Sequence, residues 1–373
     1  MNTSFRRLCA ALAAIVLGAG SAEACTGIRL IAKDGSVIYA RTMEFGIDMH
    51  SQVMVLPRGF AFTGTTASGK PGLNWNAKFA AVGMNGEGLE VLVDGVNEAG
   101  LAAGIFYMPG FAEYQAVEPD EESQAIAPWE LVTWLLTNFS TVDEIRAALP
   151  QIKVGAVAFE SWKMVPPVHY IAHDAAGNSL VIEFEDGKLN LYDNPVGTFT
   201  NAPTFDWHLT NLRNFINLTP NNVGPRDVDG LKLDQLGQGS GMRGLPGDFT
   251  PPSRFVRATA LAQASEPGAN GPEAVAQAFH ILDSFDIPRG TVRAGFGADA
   301  SLELTDWTSA SDTRNRTYYF HTQGNRRVRA VELMKCDLTA ATPVTIPLHD
   351  EEPVQFLTPA TEQAAAPKDN DTH

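Results

Sequence analysis

Hydrophobic and polar positions alternate in short runs along most of this chain. Cys25-Thr26-Gly27-Ile28-Arg29-Leu30 alternates as a strand, Asp34-Gly35 is a hairpin turn signal, and residues 36–41 return as a second strand. That pairing predicts Arg41 beside Cys25. Further strands are predicted over residues 52–56, 78–82, 89–93, 102–106, 170–172, 179–184 and 188–192. Pro57-Arg58-Gly59, Asn85-Gly86-Glu87-Gly88 and Asp186-Gly187 supply turns between them.

Helical spacing shows at Leu131, Trp134 and Leu135, with Pro128 at the start, where its missing N–H costs little. Thr141-Val142-Asp143-Glu144 is a capping-box pattern that opens a second helix to about residue 149. Ser253 is expected to cap a helix through Val256, Ala260 and Leu261, and Pro272 to open one with Val275, Phe279 and Leu282 on one face. Residues 215–250 are broken by Pro220, Gly224, Pro225 and the glycines between 237 and 247. From residue 358 onward the Ala, Pro, Gln and Asp content predicts a disordered tail. The pattern alone gives a mixed α and β class with no linker, and so one domain over residues 25–357.

The start of the chain reads differently. Arg6 and Arg7 precede a short apolar run, and Ala22-Glu23-Ala24 sets small residues at the two positions a signal peptidase reads. Residues 1–24 are therefore expected to be a secretory signal, with Cys25 first in the mature protein and a periplasmic or secreted location. One residue would then carry both a thiol and a free α-amine. The amine titrates at about 7.7–8.0 and an ordinary thiol at about 8.5, so little thiolate exists at neutral pH without a base. A terminal cysteine brings that base with it. Two duller readings stand beside this one. Cys25 could pair with Cys336 in an oxidising compartment, or be the lipidated residue of an anchored, non-catalytic binding protein. Against the anchor, Ala22 replaces the usual leucine and Glu23 is charged.

Composition narrows the choice of partners. A formal net charge of −16 argues against nucleic acid, which needs a basic footprint. No apolar run after the signal is long enough to span a bilayer. His169 and His173 have H-x-x-x-H spacing, but their segment reads as a strand, which would hold the rings roughly 13 Å apart. No metal or organic cofactor is expected.

The hairpin with Cys25-Thr26, Arg41 and Glu44 resembles the opening of the choloylglycine hydrolase family, which includes bile-salt hydrolases and penicillin V acylases. The likeness continues through Thr200-Asn201-Ala202-Pro203-Thr204-Phe205-Asp206, then Pro252-Ser253-Arg254-Phe255-Val256-Arg257, and on to Tyr318-Tyr319-Phe320. It implies an α+β, four-layer αββα sandwich of the N-terminal nucleophile hydrolase type and cleavage of linear amides without a cofactor. It further implies Cys25 as nucleophile, with Asn201 and a group at Tyr107 or Phe106 as oxyanion donors. Arg41 and Arg254 would tune the thiolate and steer a substrate carboxylate. Glu44 departs from the aspartate of bile-salt hydrolases, which puts its contact with the terminal amine in question. Export and Glu44 lean toward penicillin V acylases, whose exported members can also take N-acyl homoserine lactones, and bile salts are the other reading. Met43, Phe45, Met49, Phe106, Tyr107 and Phe111 are candidates for an apolar acyl pocket. In several members the 215–250 region supports a homotetramer.

Overall fold

The computed structural model describes residues 24–46, 48–295, 300–348 and 351–357. Residues 1–23 of the predicted signal and the tail from residue 358 lie outside the described residues. In chain order the main strands are β1 Thr26–Ile31, β2 Val37–Phe45, β3 Val53–Leu56, β4 Ala81–Met84 and β5 Asp94–Asn97. Then come β6 Ala102–Tyr107, β7 Val168–His173, β8 Ser179–Glu185 and β9 Lys188–Asp193. The last are β10 Val292–Ala294, β11 Ser301–Asp312, β12 Thr317–Thr322, β13 Arg329–Glu332 and β14 Val344–Ile346.

Among the described residues these strands form two large sheets. One has the order β1-β2-β11-β12-β13, with β10 paired to β11, and the other runs β9-β8-β7-β6-β5-β4-β3-β14. Cys25, Tyr39, Met43, Val82, Phe106, Ile171 and Trp307 come from both sheets and share one buried cluster, so the sheets pack face to face. Helices α1 Leu131–Asn138 and α2 Val142–Ala148 bury Leu131, Leu135 and Ile145 against the outer face of the second sheet. Past the short helix α3, Phe205–Asn211, helices α4 Pro251–Ala264 and α5 Gly271–Leu282 bury Ala258, Val275 and Phe279 against the first. Helix, sheet, sheet, helix: the chain is an αββα sandwich.

The first hairpin forms as its turn signal predicts, with Gly27 opposite Arg41 and Thr26 opposite Thr42. The capping box also forms, since the Thr141 side chain accepts from Glu144 N at 3.2 Å. Three local expectations need correction. The fourth strand begins at Ala81, because Lys78 N and Phe79 N donate instead to Thr137 O at the end of α1. Residues 89–93 make only an isolated bridge, Leu92 to Asn85, and the strand begins at Asp94. Helix α4 starts with Pro251 behind Thr250, so Ser253 lies inside its first turn, donating to Asp248 Oδ2 at 2.7 Å.

Candidate active site

Cys25 stands one residue before β1, in the row that continues through Met43 of β2 and Trp307 of β11. It is a free thiol, as is Cys336. Its backbone nitrogen donates to Asn201 Oδ1 at 2.7 Å. In the full chain that nitrogen is the amide of the Ala24–Cys25 peptide, and removal of residues 1–24 would turn the same atom into the α-amine. Asn201 Oδ1 also accepts from Arg254 Nη2 at 2.6 Å, and Asn201 Nδ2 donates to Tyr107 O at 2.8 Å. Two donors face one end of this amide and a carbonyl the other, which settles its orientation.

The two arginines are fully engaged. Arg254 donates to Cys25 O, to Thr26 Oγ1 at 3.0 Å and to Phe249 O at 2.8 Å. Arg41 lies under the core, 4.3 Å from the Phe106 ring centroid and 5.3 Å from that of Trp307, and donates to Thr42 O and Ile105 O. Neither guanidinium reaches solvent. The expectation that they steer a substrate carboxylate is therefore corrected: Arg254 holds the Cys25 backbone, and Arg41 holds carbonyls of neighbouring strands.

Burial pushes the Cys25 thiol up, and the pull of Arg41 and Arg254 does not overcome it. Cys25 thus stands as a protonated thiol at neutral pH. Burial likewise pushes Glu44 up to about 8, against the attraction of Arg254. Its Oε1 accepts from Thr305 Oγ1 at 3.1 Å, and its Oε2 has no partner among the described residues. In the uncut chain Cys25 N is an amide whose one hydrogen goes to Asn201, so the contact questioned at Glu44 concerns only the amine that a cut would free.

An apolar pocket opens at Cys25, with a volume of about 80 Å³. Met43, Phe45, Met49, Phe106 and Tyr107 line it as expected. Phe111 does not: it is 44% exposed, carried outward by the turn after Pro109. In its place stand Trp129, Phe159 and Trp162, none of them expected from the sequence. Trp162 stacks on Phe45 at 5.2 Å, and its Nε1 donates to Glu87 Oε1 at 3.0 Å. Large aromatics in the polar loop Phe159-Glu160-Ser161-Trp162 were the available signal. The pocket also explains the missing strand over 89–93, since Leu89, Val91 and Val93 turn into it.

Beyond Glu44, burial lifts Glu303 to about 7, against Arg254, and lifts Asp306 to about 7 with help from Asp48. Both folded values stand above the ordinary carboxylate range near about 4. Between those limits the folded state holds more protons than the unfolded state, so stability must fall as pH rises. The thermal midpoint should therefore drop from about pH 5 to about pH 8, with the slope reduced in Glu303→Gln. A midpoint that rises through this window would show that these carboxyls are not kept protonated.

Comparison with known proteins gives the chain's relatives. The profile described as linear amide C–N hydrolases, choloylglycine hydrolase family, matches residues 25–346. A bile salt hydrolase/transferase of Clostridium perfringens is 32% identical over 316 residues, covering 84% of this chain and 94% of the relative. A penicillin V acylase of Pectobacterium atrosepticum is 28% identical over 347 residues, 87% of this chain and 85% of its own. Among solved structures, a conjugated bile acid hydrolase variant from Clostridium perfringens has a TM-score of 0.79 at 29% identity, over 90% of this chain and 100% of that one. A penicillin V acylase from Agrobacterium tumefaciens gives 0.69 at 26% identity, over 87% and 91%.

Proposed function

Because this chain belongs to the choloylglycine hydrolase family of linear amide C–N hydrolases, we propose that it is an exported cysteine amidase acting through Cys25 at a newly exposed N-terminus. The observation that carries the reading is the Asn201 amide, joined at once to Cys25 N, Arg254 and Tyr107 O beside an apolar pocket.

The steps follow from that geometry. The α-amine of Cys25 takes the thiol proton as the sulfur attacks the amide carbonyl. An asparagine NH₂ has two protons. One of Asn201's goes to Tyr107 O, and the other is left for the developing oxyanion, which a backbone N–H at Tyr107 or Phe106 completes. The ammonium then protonates the leaving amine, giving an acyl-thioester on Cys25. Water, with the amine again as base, releases the acid. Arg254 fixes Cys25 O and Asn201 Oδ1, so it acts on geometry and local charge rather than on substrate. Homotetrameric assembly belongs to the same reading. The hairpin Arg226–Val228 with Leu231–Leu233 exposes Val228, Leu231 and Leu233, as a subunit contact would need. Sedimentation at a monomer mass would remove it.

Substrate choice rests on the pocket. At about 80 Å³ it is smaller than a cavity of about 150 Å³ that accepts benzene, so an acyl group must part its walls. Flat or linear groups ask least of the Phe45, Phe159 and Trp162 rings. Penicillin V and a medium-chain N-acyl homoserine lactone should both exceed glycocholate in kcat/KM when assayed side by side. Methylene differences are worth only about 1–3 kcal/mol, so tolerance among linear acyl groups is expected. Should glycocholate win by about tenfold, or about 1.4 kcal/mol, the protein is a bile-salt hydrolase by preference.

A further inference from the structure

Two buried histidines and a buried glutamate stand behind Asn201, away from the pocket. His169 of β7 places Nδ1 2.8 Å from Glu183 Oε1 and Nε2 3.0 Å from Thr200 O. The ring is thus held from both sides, by the Glu183 carboxyl and by the Thr200 carbonyl. The other oxygen, Glu183 Oε2, accepts from Phe205 N at 3.1 Å. From α3, His208 Nε2 donates to Asn201 O at 2.9 Å, its ring stacked on Phe255 at 4.6 Å and 12°. Burial holds His208 down at about 4, so it is a neutral ring whose one proton lies on that bond. At the other end of the segment, Phe199 and Gly27 exchange backbone hydrogen bonds of 2.9 and 2.7 Å.

We propose that His169, Glu183 and His208 are positioning residues that set the Asn201 side chain for the reaction. None of the three lines the pocket. All lie at 2% exposure or less. Stability does not require an ion pair here, because replacing a buried pair by well-packed apolar residues is often neutral or stabilising. What the trio supplies is geometry: it fixes the carbonyls of Thr200 and Asn201 and the amide of Phe205, leaving the Asn201 side chain little freedom. An oxyanion donor must be held to within about 0.5 Å, and a misplacement of about 1 Å can cost about 10²-fold.

The inference rests on Asn201 being an oxyanion donor, and the test separates the two. His169→Phe keeps the ring volume and removes both bonds. It should lower kcat by about tenfold to 10²-fold with KM within about twofold, because the oxyanion forms only in the transition state. His169→Gln, which can still donate to Thr200 O, should recover part of the loss. Combined with Asn201→Ala, His169→Phe should add nothing further. A loss that appears in KM, or that multiplies with Asn201→Ala, overturns the positioning role. Asn201→Ala turning over at the wild-type rate would instead overturn the functional reading. If His169→Phe does not fold, His208→Phe, which keeps the stack on Phe255 and frees Asn201 O, is read against the same outcomes.

Discussion

Cys25→Ser is expected to lose about 10³-fold or more in kcat with the fold and thermal midpoint nearly unchanged. The substitution alters one buried atom. Cys25 Sγ touches Met43 Sδ at 3.8 Å and faces the Glu44 backbone, and a serine hydroxyl can occupy the same place. The chemical change is large by contrast. Burial already raises the thiol, and an alcohol, far weaker as an acid, would have to be deprotonated in the same apolar surroundings by the same amine. Arg41 and Arg254 cannot make up that difference, since they do not do so even for the thiol. A serine variant at wild-type rate would show that Cys25 is not the nucleophile.

Blocking the amine should be nearly as damaging. A chain carrying Met-Ala before Cys25 is expected to fold and to lose about 10²-fold to 10⁴-fold in kcat, the usual worth of a positioned general acid–base. The fold already accommodates a residue there: Ala24 is buried, and Cys25 N still donates to Asn201 as an amide. An amide nitrogen has no basic lone pair, so it can neither take the thiol proton nor return one to the leaving amine. The measurement is turnover alongside intact mass, which confirms that the extension is still present. Full activity with the extension intact would take the terminal amine out of the mechanism.

Parts of this site were legible before the structure, for identifiable reasons. Asp34-Gly35 set a tight turn, and a tight turn fixes register, so the return of Arg41 near the start of β1, opposite Gly27, followed from counting. Alternating runs gave β2, β3, β7 and β8 because each buries at least one face. The sign of the thiol's shift was not legible, since adjacency in register shows a charge but not the absence of water around it. The arginines' donors were likewise unreadable, because Ile105 O, Phe249 O and Cys25 O are backbone atoms with no signature in the chain. Trp129 and Trp162 reach the pocket from loops, where periodicity carries no information. Glu183 in the apolar run of β8 was the clearest missed signal, as a charge buried in a strand must have a partner.

The pairing of Gly27 with Phe199 has a bearing on solubility. Strand β1 ends its sheet, and a cut before Cys25 would leave a loose end next to unpaired backbone groups, which invites another chain to add a strand. Residue 199 closes that edge beside the cut, exchanging both hydrogen bonds with Gly27. Farther along, Arg29 Nη1 reaches Gly177 O at 2.6 Å and Lys33 N donates to Gly268 O at 2.8 Å. Phe106 sits so close that a Cβ on residue 27 would lie 2.8 Å from its ring, so glycine is what lets the edge be covered there. The end that would carry the chemistry is thereby kept from templating aggregation.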